Sequence, residues 1–140
     1  MNNPKELKAR FPYQFAGEQI SMSYSRGWFH LFSHLCADIN EALGDDKRGF
    51  HWTQVKEKFG AARLYFKLAP GVSNEEPELV QRLLSLKNAA EASSQKTCVA
   101  CGRPGRIYPD MGWMLAVCDA HHQAHAAGTL GSIWFEEDEQ

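Results

Sequence analysis

The stretch Cys98-Val-Ala-Cys-Gly-Arg-Pro-Gly-Arg-Ile-Tyr-Pro-Asp-Met-Gly-Trp-Met-Leu-Ala-Val-Cys118-Asp-Ala-His121 decides how the C-terminal third must fold. It carries two pairs of soft donors, Cys98 with Cys101 and Cys118 with His121, each separated by two residues. A Cys-x2-Cys turn lets two thiolates meet one ion while backbone N–H groups hold the sulfurs, and zinc favours four such ligands in a tetrahedron. The spacing predicts one zinc ion on Cys98, Cys101, Cys118 and His121. His122 and His125 are competing imidazoles, but only His121 keeps the two-residue gap. Four protein donors fill the coordination sphere and three thiolates quench Lewis acidity, so the expected role is folding energy rather than water activation.

Between the pairs, Arg106 to Tyr108 and Trp113 to Val117 are expected to form two strands around a turn at Pro109-Asp-Met-Gly112. Asp119 to Ala127 is helical in composition, so the second ligand pair falls in a helix's first turn. Knuckle, hairpin and helix together predict a treble-clef-like zinc module over 96–128.

Upstream, Trp28, Leu31, Phe32, Leu35, Cys36, Ile39 and Leu43 recur at three- and four-residue steps, the stripe of a half-buried helix over 28–43. Ser25 or Gly27 can cap its start, and Gly44 stops it. Residues 50–68 are rich in aromatic and branched side chains, with Leu64, Phe66 and Leu68 alternating with Arg63, Tyr65 and Lys67. That alternation predicts an antiparallel hairpin turning near Gly60. Ser73 and Glu76 stand at capping-box spacing, Pro77 suits a first helical turn, and a second helix is expected over 78–92 with Leu79, Val80, Leu83, Leu84, Leu86 and Ala90 inward. The fold class is therefore α+β: helix, antiparallel hairpin, helix, then the small zinc module. Residues 1–95 form the core, 96–128 the module, and 129–140 an acidic tail ending in Glu136, Glu137, Asp138 and Glu139.

A chain of 140 residues, 44% of them hydrophobic, holds one core with a small satellite rather than two large domains. The net charge of -2 excludes a protein that coats nucleic acid by bulk electrostatics, although a local basic face fits inside a neutral total. No run approaches the ~18 to 20 apolar residues that span a bilayer, and Met1 to Phe15 lacks the order of a signal peptide. Three of the four cysteines fall at metal spacing and Cys36 sits alone in the helix stripe, so a reducing, cytoplasmic setting is expected, with no membrane partner.

The chain resembles a family of small zinc proteins from phage and bacterial genomes to which no activity is assigned. The resemblance rests on Gly27-Trp28 opening a helix with Leu35-Cys36, on Gln54-Val-Lys-Glu-Lys-Phe-Gly60 running on to Arg63-Leu-Tyr-Phe66, and on Cys98 through His121 with Pro104-Gly105 and Gly112-Trp113. It covers about Phe11 to His121. Where the family has Gly-Gly-Leu or Gly-Thr-Leu before the arginine, this chain has Gly60-Ala61-Ala62. The resemblance implies a compact zinc protein, phage-borne in many cases and then resident in the host cytoplasm, and carries no activity over.

Other constellations are weaker. His30, His34, Asp38 and Glu41 share a helix face and are geometrically compatible with a second metal, but they also make an ordinary polar face. Lys56, Lys58, Arg63 and Lys67 gather on the hairpin with Tyr65 and Trp52 nearby, a surface able to contact phosphate, a base or an acidic protein, with Glu57 diluting it. No histidine lies between Cys101 and Cys118, and nothing near His122 or His125 supplies the partner base that a treble-clef nuclease needs. The expected function is a non-enzymatic zinc protein that binds a protein partner. A nucleic-acid binder using the basic hairpin is the alternative, and a metal-dependent nuclease comes third.

Overall fold

A computed structural model describes residues 3–135 and 139–140 of the chain. It is an α+β fold built on a three-stranded mixed sheet. Helix α1 (Pro4–Arg10) and a tight turn at Pro12–Phe15 precede strand β1 (Ser21–Ser23). Helix α2 (Phe29–Leu43), strands β2 (His51–Lys58) and β3 (Ala61–Lys67), a short helix α3 (Val72–Glu75) and the long helix α4 (Pro77–Ser94) follow, and α5 (Asp119–Ala126) comes last.

Phe32, Leu35, Cys36, Ile39 and Leu43 of the expected α2 stripe are buried, Leu31 is only partly so, and Phe29, outside the stripe, is buried as well. The helix starts one residue later than expected, after a tight turn at Arg26–Trp28, and Gly44 at φ 68 closes it by donating its N–H to the Asn40 and Glu41 carbonyls. Burying each such large side chain contributes roughly 1.5–3 kcal/mol. Trp28, Phe50, Trp52, Leu7 and Leu83 join the same cluster. Inside it, the fully buried Gln14 accepts from Trp52 Nε1 at 3.1 Å and donates to the Cys36 carbonyl at 2.9 Å. A buried amide is tolerated because its hydrogen bonds are made.

β2 and β3 pair antiparallel, with Lys56 opposite Arg63 and Lys58 opposite Ala61, so that Phe59-Gly60 is a two-residue turn. Both turn residues have positive φ, 53 and 85, the backbone twist that tight hairpins favour. The sheet is larger than the expected hairpin, because β1 adds in parallel to β2, Ser23 beside Lys56. A parallel edge strand of three residues shows no periodicity long enough to read in sequence. On the opposite edge, α4 shields β3: Ser94 Oγ accepts from Ala62 N–H at 2.8 Å and Glu91 Oε2 from Leu64 N–H at 2.9 Å. Side chains of one helix thereby satisfy an edge that would otherwise invite pairing.

Several local expectations need correction. Ser73 and Glu76 form no capping box: Ser73 lies within α3, and the Glu76 carboxylate binds the Arg48 guanidinium at 2.9 and 3.0 Å instead. An ion pair across two loops outcompetes a local cap. Of the inward residues expected on α4, Leu83 and Ala90 are buried, Leu79 and Leu86 are only partly so, and Val80 and Leu84 are half-buried and line an open groove beside β3. The segment 129–140 does not begin as a free tail. Ile133 and Phe135 are buried, Arg26 N–H donates to the Ile133 carbonyl at 2.7 Å, and Glu139 pairs with Arg26 at 2.6 Å. Glu136, Glu137 and Asp138 lie outside the described residues.

Cys98, Val99, Tyr108, Met111 and Val117 belong to the same buried cluster as Trp28 and Trp52. Two glycines make that contact close. A Cβ on Gly27 would stand 2.0 Å from the Cys98 carbonyl oxygen, and one on Gly60 would stand 2.0 Å from the Met114 carbonyl oxygen. Among the described residues, no helix is long and apolar enough to cross a membrane.

Candidate metal centre

The first ligand pair is set by a knuckle. Cys98 N–H donates to the Arg103 carbonyl at 2.7 Å, and Gly102, at φ 81, returns its N–H to the Cys98 carbonyl at 2.9 Å. Val99 N–H then bonds the Ala116 carbonyl, which brings the segment before Cys118 alongside. Cys118 occupies the N-cap position of α5 without a side-chain cap, and its carbonyl accepts from His122 N–H at 2.9 Å. The first turn of α5 therefore aims His121 back at the thiols.

The four donor atoms lie within 4.8 Å of one another. Cys118 Sγ is 3.2 Å and Cys98 Sγ 3.5 Å from His121 Nδ1, and Cys101 Sγ is 3.8 Å from Cys118 Sγ. A tetrahedral zinc ion, with bonds of ~2.3 Å to sulfur and ~2.0 Å to nitrogen, requires separations of about 3.8 Å between sulfurs and about 3.5 Å from sulfur to nitrogen. The residues thus fit a metal ion in both chemistry and spacing. Cys98 is buried and Cys101 exposed, with Cys118 and His121 between, so the site lies at the rim of the fold.

The thiols do not share one environment. Burial raises the Cys118 thiol, but hydrogen bonds with the His121 backbone and ring and with the two neighbouring cysteines outweigh it and hold the group at about 7. Cys101 is pushed up to about 11, by burial first and then by hydrogen bonds to Cys98 and Cys118. A cation bound among the three sulfurs would favour their thiolate forms. Cys36 is free, fully buried and remote from the cluster in the fold, its thiol pushed up by burial.

The expected hairpin between the ligand pairs forms only as one bridge, Arg106 with Val117, followed by a tight turn at Pro109–Met111. Side chains take over from strand pairing. Tyr108 stacks on His122 at 3.7 Å with rings nearly parallel, the Arg106 guanidinium lies 3.8 Å from the Tyr108 ring on a second contact, and Tyr108 OH donates to Asp119. His122 Nε2 meets Asp110 Oδ2 at 2.8 Å, which holds the Asp110 carboxyl below its usual range. These five residues pin the loop 106–112 onto α5, and the sequence reading missed them. A carboxylate partner for His122 does exist, contrary to expectation, but it ties the imidazole into this stack. The only hint in sequence is the one-turn spacing of Asp119 and His122.

Elsewhere, His30, His34, Asp38 and Glu41 are not brought together around a metal; among the described residues, the Cys98, Cys101, Cys118 and His121 group alone converges. Lys56, Lys58, Arg63, Tyr65 and Lys67 all fall on the outer face of the sheet, opposite the face of Val55, Ala62 and Leu64 that packs in the core. Glu57 is not on that face. It is paired with Ala62, on the inward side of the register, and its carboxylate accepts from Gly60 N–H at 3.0 Å. Compared with family models, with curated proteins and with solved structures, the chain matches none.

Proposed function

We propose that this is a non-enzymatic, zinc-stabilised binding protein whose outer sheet face meets an anionic macromolecular partner. What supports the zinc half is the donor set: three thiolates and one imidazole saturate a tetrahedral ion and leave no position for a substrate. We take the module to be treble-clef-like, since a knuckle leads through a short connection into a ligand-bearing helix. The zinc ion would fasten the 98–121 segment to the core and perform no chemistry.

The observation that carries the binding half is the composition of the outer face. Lys56 and Arg63 stand directly across from one another, Lys58 and Lys67 extend the pair along each strand, and Tyr65 is half exposed among them. None of the four cations has an ion-pair partner among the described residues. Like charges directly opposite on a sheet are destabilising, so folding alone gives no reason to place them there. The setting we propose is bacterial cytoplasm, that of the host if the chain is phage-encoded, in keeping with the family resemblance and with the unpaired Cys36.

Parent protein and a Lys56→Ala, Lys58→Ala, Arg63→Ala variant, immobilised side by side, should both fold and both hold zinc. The parent alone should retain a polyanion such as heparin at moderate salt. Equal retention by the folded variant would remove this face from the account.

A further inference from the structure

We infer that the outer face of the sheet is a platform for single-stranded nucleic acid, with Tyr65 as the stacking surface and Lys56, Lys58, Arg63 and Lys67 as phosphate contacts. This rests on the proposed binding role of that face and names the partner's chemistry.

Three observations favour a nucleic acid over an acidic protein. The first is composition. Protein interfaces bury an apolar centre and are depleted in lysine. Here the strand residues in register on the outer face include Ser21, Ser23, Gln54, Lys56, Arg63 and Tyr65, so the strand face itself is cationic and lacks large aliphatic side chains, which are met only in the groove towards α4. The second is an exposed aromatic beside a cation: Tyr65 is 49% exposed on this face, and Lys87 lies 5.3 Å from its ring. A base offers a π-face to such a ring whatever its identity, and neighbouring cations add to the stack.

The third observation is shape. Beside Tyr65, a groove of about 510 Å³ opens between β3 and α4, lined by Lys67, Ser73, Leu84 and Lys87 among others. It gives a splayed base a place against the ring, which duplex bases, stacked on one another, cannot take. The carboxylate at this edge, Glu91, is already engaged by Leu64 N–H and by Lys87 at 3.2 Å, so it does not repel phosphate as a free acid would.

The test is fluorescence anisotropy of labelled 12-nucleotide DNA and RNA single strands, the matching duplexes, and polyglutamate, across a salt series. Binding to the single strands should exceed that to duplex, with log K falling against log salt at a slope of about −2 to −3 for four phosphate contacts. Tyr65→Ala should weaken binding about tenfold with zinc content and circular dichroism unchanged, while Tyr65→Phe retains it. Lys56→Ala, Lys58→Ala, Arg63→Ala should make the slope shallower by about 2. Duplex bound as tightly as single strand, or an indifferent Tyr65→Ala, overturns the inference. If polyglutamate binds through the three cations and the oligonucleotides do not, the anionic-partner reading stands and the nucleic-acid inference falls; if the triple variant alters neither, both fall.

Discussion

Gly27 lies against Cys98 so closely that position 27 has no room for a side chain: an added Cβ would stand 2.0 Å from the Cys98 carbonyl oxygen. Gly27 N–H also donates to the Val99 carbonyl at 2.8 Å, so the start of α2 and the metal knuckle share one backbone contact. Gly27→Ala must push these apart, and overpacking of this kind costs about 1–3 kcal/mol. The expected outcome is a lower denaturation midpoint together with weaker zinc retention under chelator competition. A variant that melts early yet holds zinc like the parent would show that the two sites are energetically separate.

Cys36→Ser tests the opposite case. The thiol is fully buried beside Phe32 and Ile39 and away from the other cysteines. Serine gives up the apolar packing of the buried sulfur and places a more polar hydroxyl in the core, a loss of about 1–3 kcal/mol. Chemical denaturation should show that loss while metal analysis shows unchanged zinc; loss of zinc in this variant would mean that the ligand set is wrong.

Arg48 and Glu76 supply a pH test. Hydrogen bonds from the Arg48 guanidinium hold the Glu76 carboxyl below its ordinary value of 4.5. A depressed folded value gives stability that is present above the unfolded value and lost as pH falls through the folded one. Both proteins lose zinc as acid protonates its ligands, so the informative quantity is the difference between parent and Glu76→Gln. That difference should be constant near neutrality and shrink below pH 4.5. A difference independent of pH would remove the ion pair as its cause.

What could be read in the sequence follows the length of each signal. The stripe from Phe29 to Leu43 spans four turns and fixes its own buried face, and the Cys-x2-Cys and Cys-x2-His pairs encode distance directly. β1, three residues of Ser-Met-Ser, and α1, seven residues beginning at Pro4, are too short for a period to emerge. The composition of 106–108 and 113–117 suits paired strands around the turn at 109–112, but only Arg106 and Val117 pair, and the loop 106–112 is not fixed by strand pairing. It is held instead by Tyr108 and Asp110 reaching to Asp119 and His122, contacts that exist only after α5 docks. The position of Glu57 was misjudged for a related reason: proximity in sequence put it among the lysines, and strand alternation places it on the other side.

Cys101→Ser removes the exposed ligand and leaves the core residues untouched. Because folding and metal binding of such sites are coupled, stability should fall by several kcal/mol, and the loss should reach Trp28, whose indole N–H points to the Thr97 carbonyl at 3.4 Å. Near-ultraviolet circular dichroism follows that tryptophan's environment. An unchanged melting temperature would contradict the coupling.

The central claim is a zinc ion held by Cys98, Cys101, Cys118 and His121. Elemental analysis by plasma mass spectrometry, on protein purified without chelator and beside the Cys98→Ser and His121→Ala variants, tests it most directly. One zinc per chain in the parent, with substoichiometric zinc in both variants, is the predicted result. A parent without stoichiometric metal, or variants that keep the full complement, would contradict it.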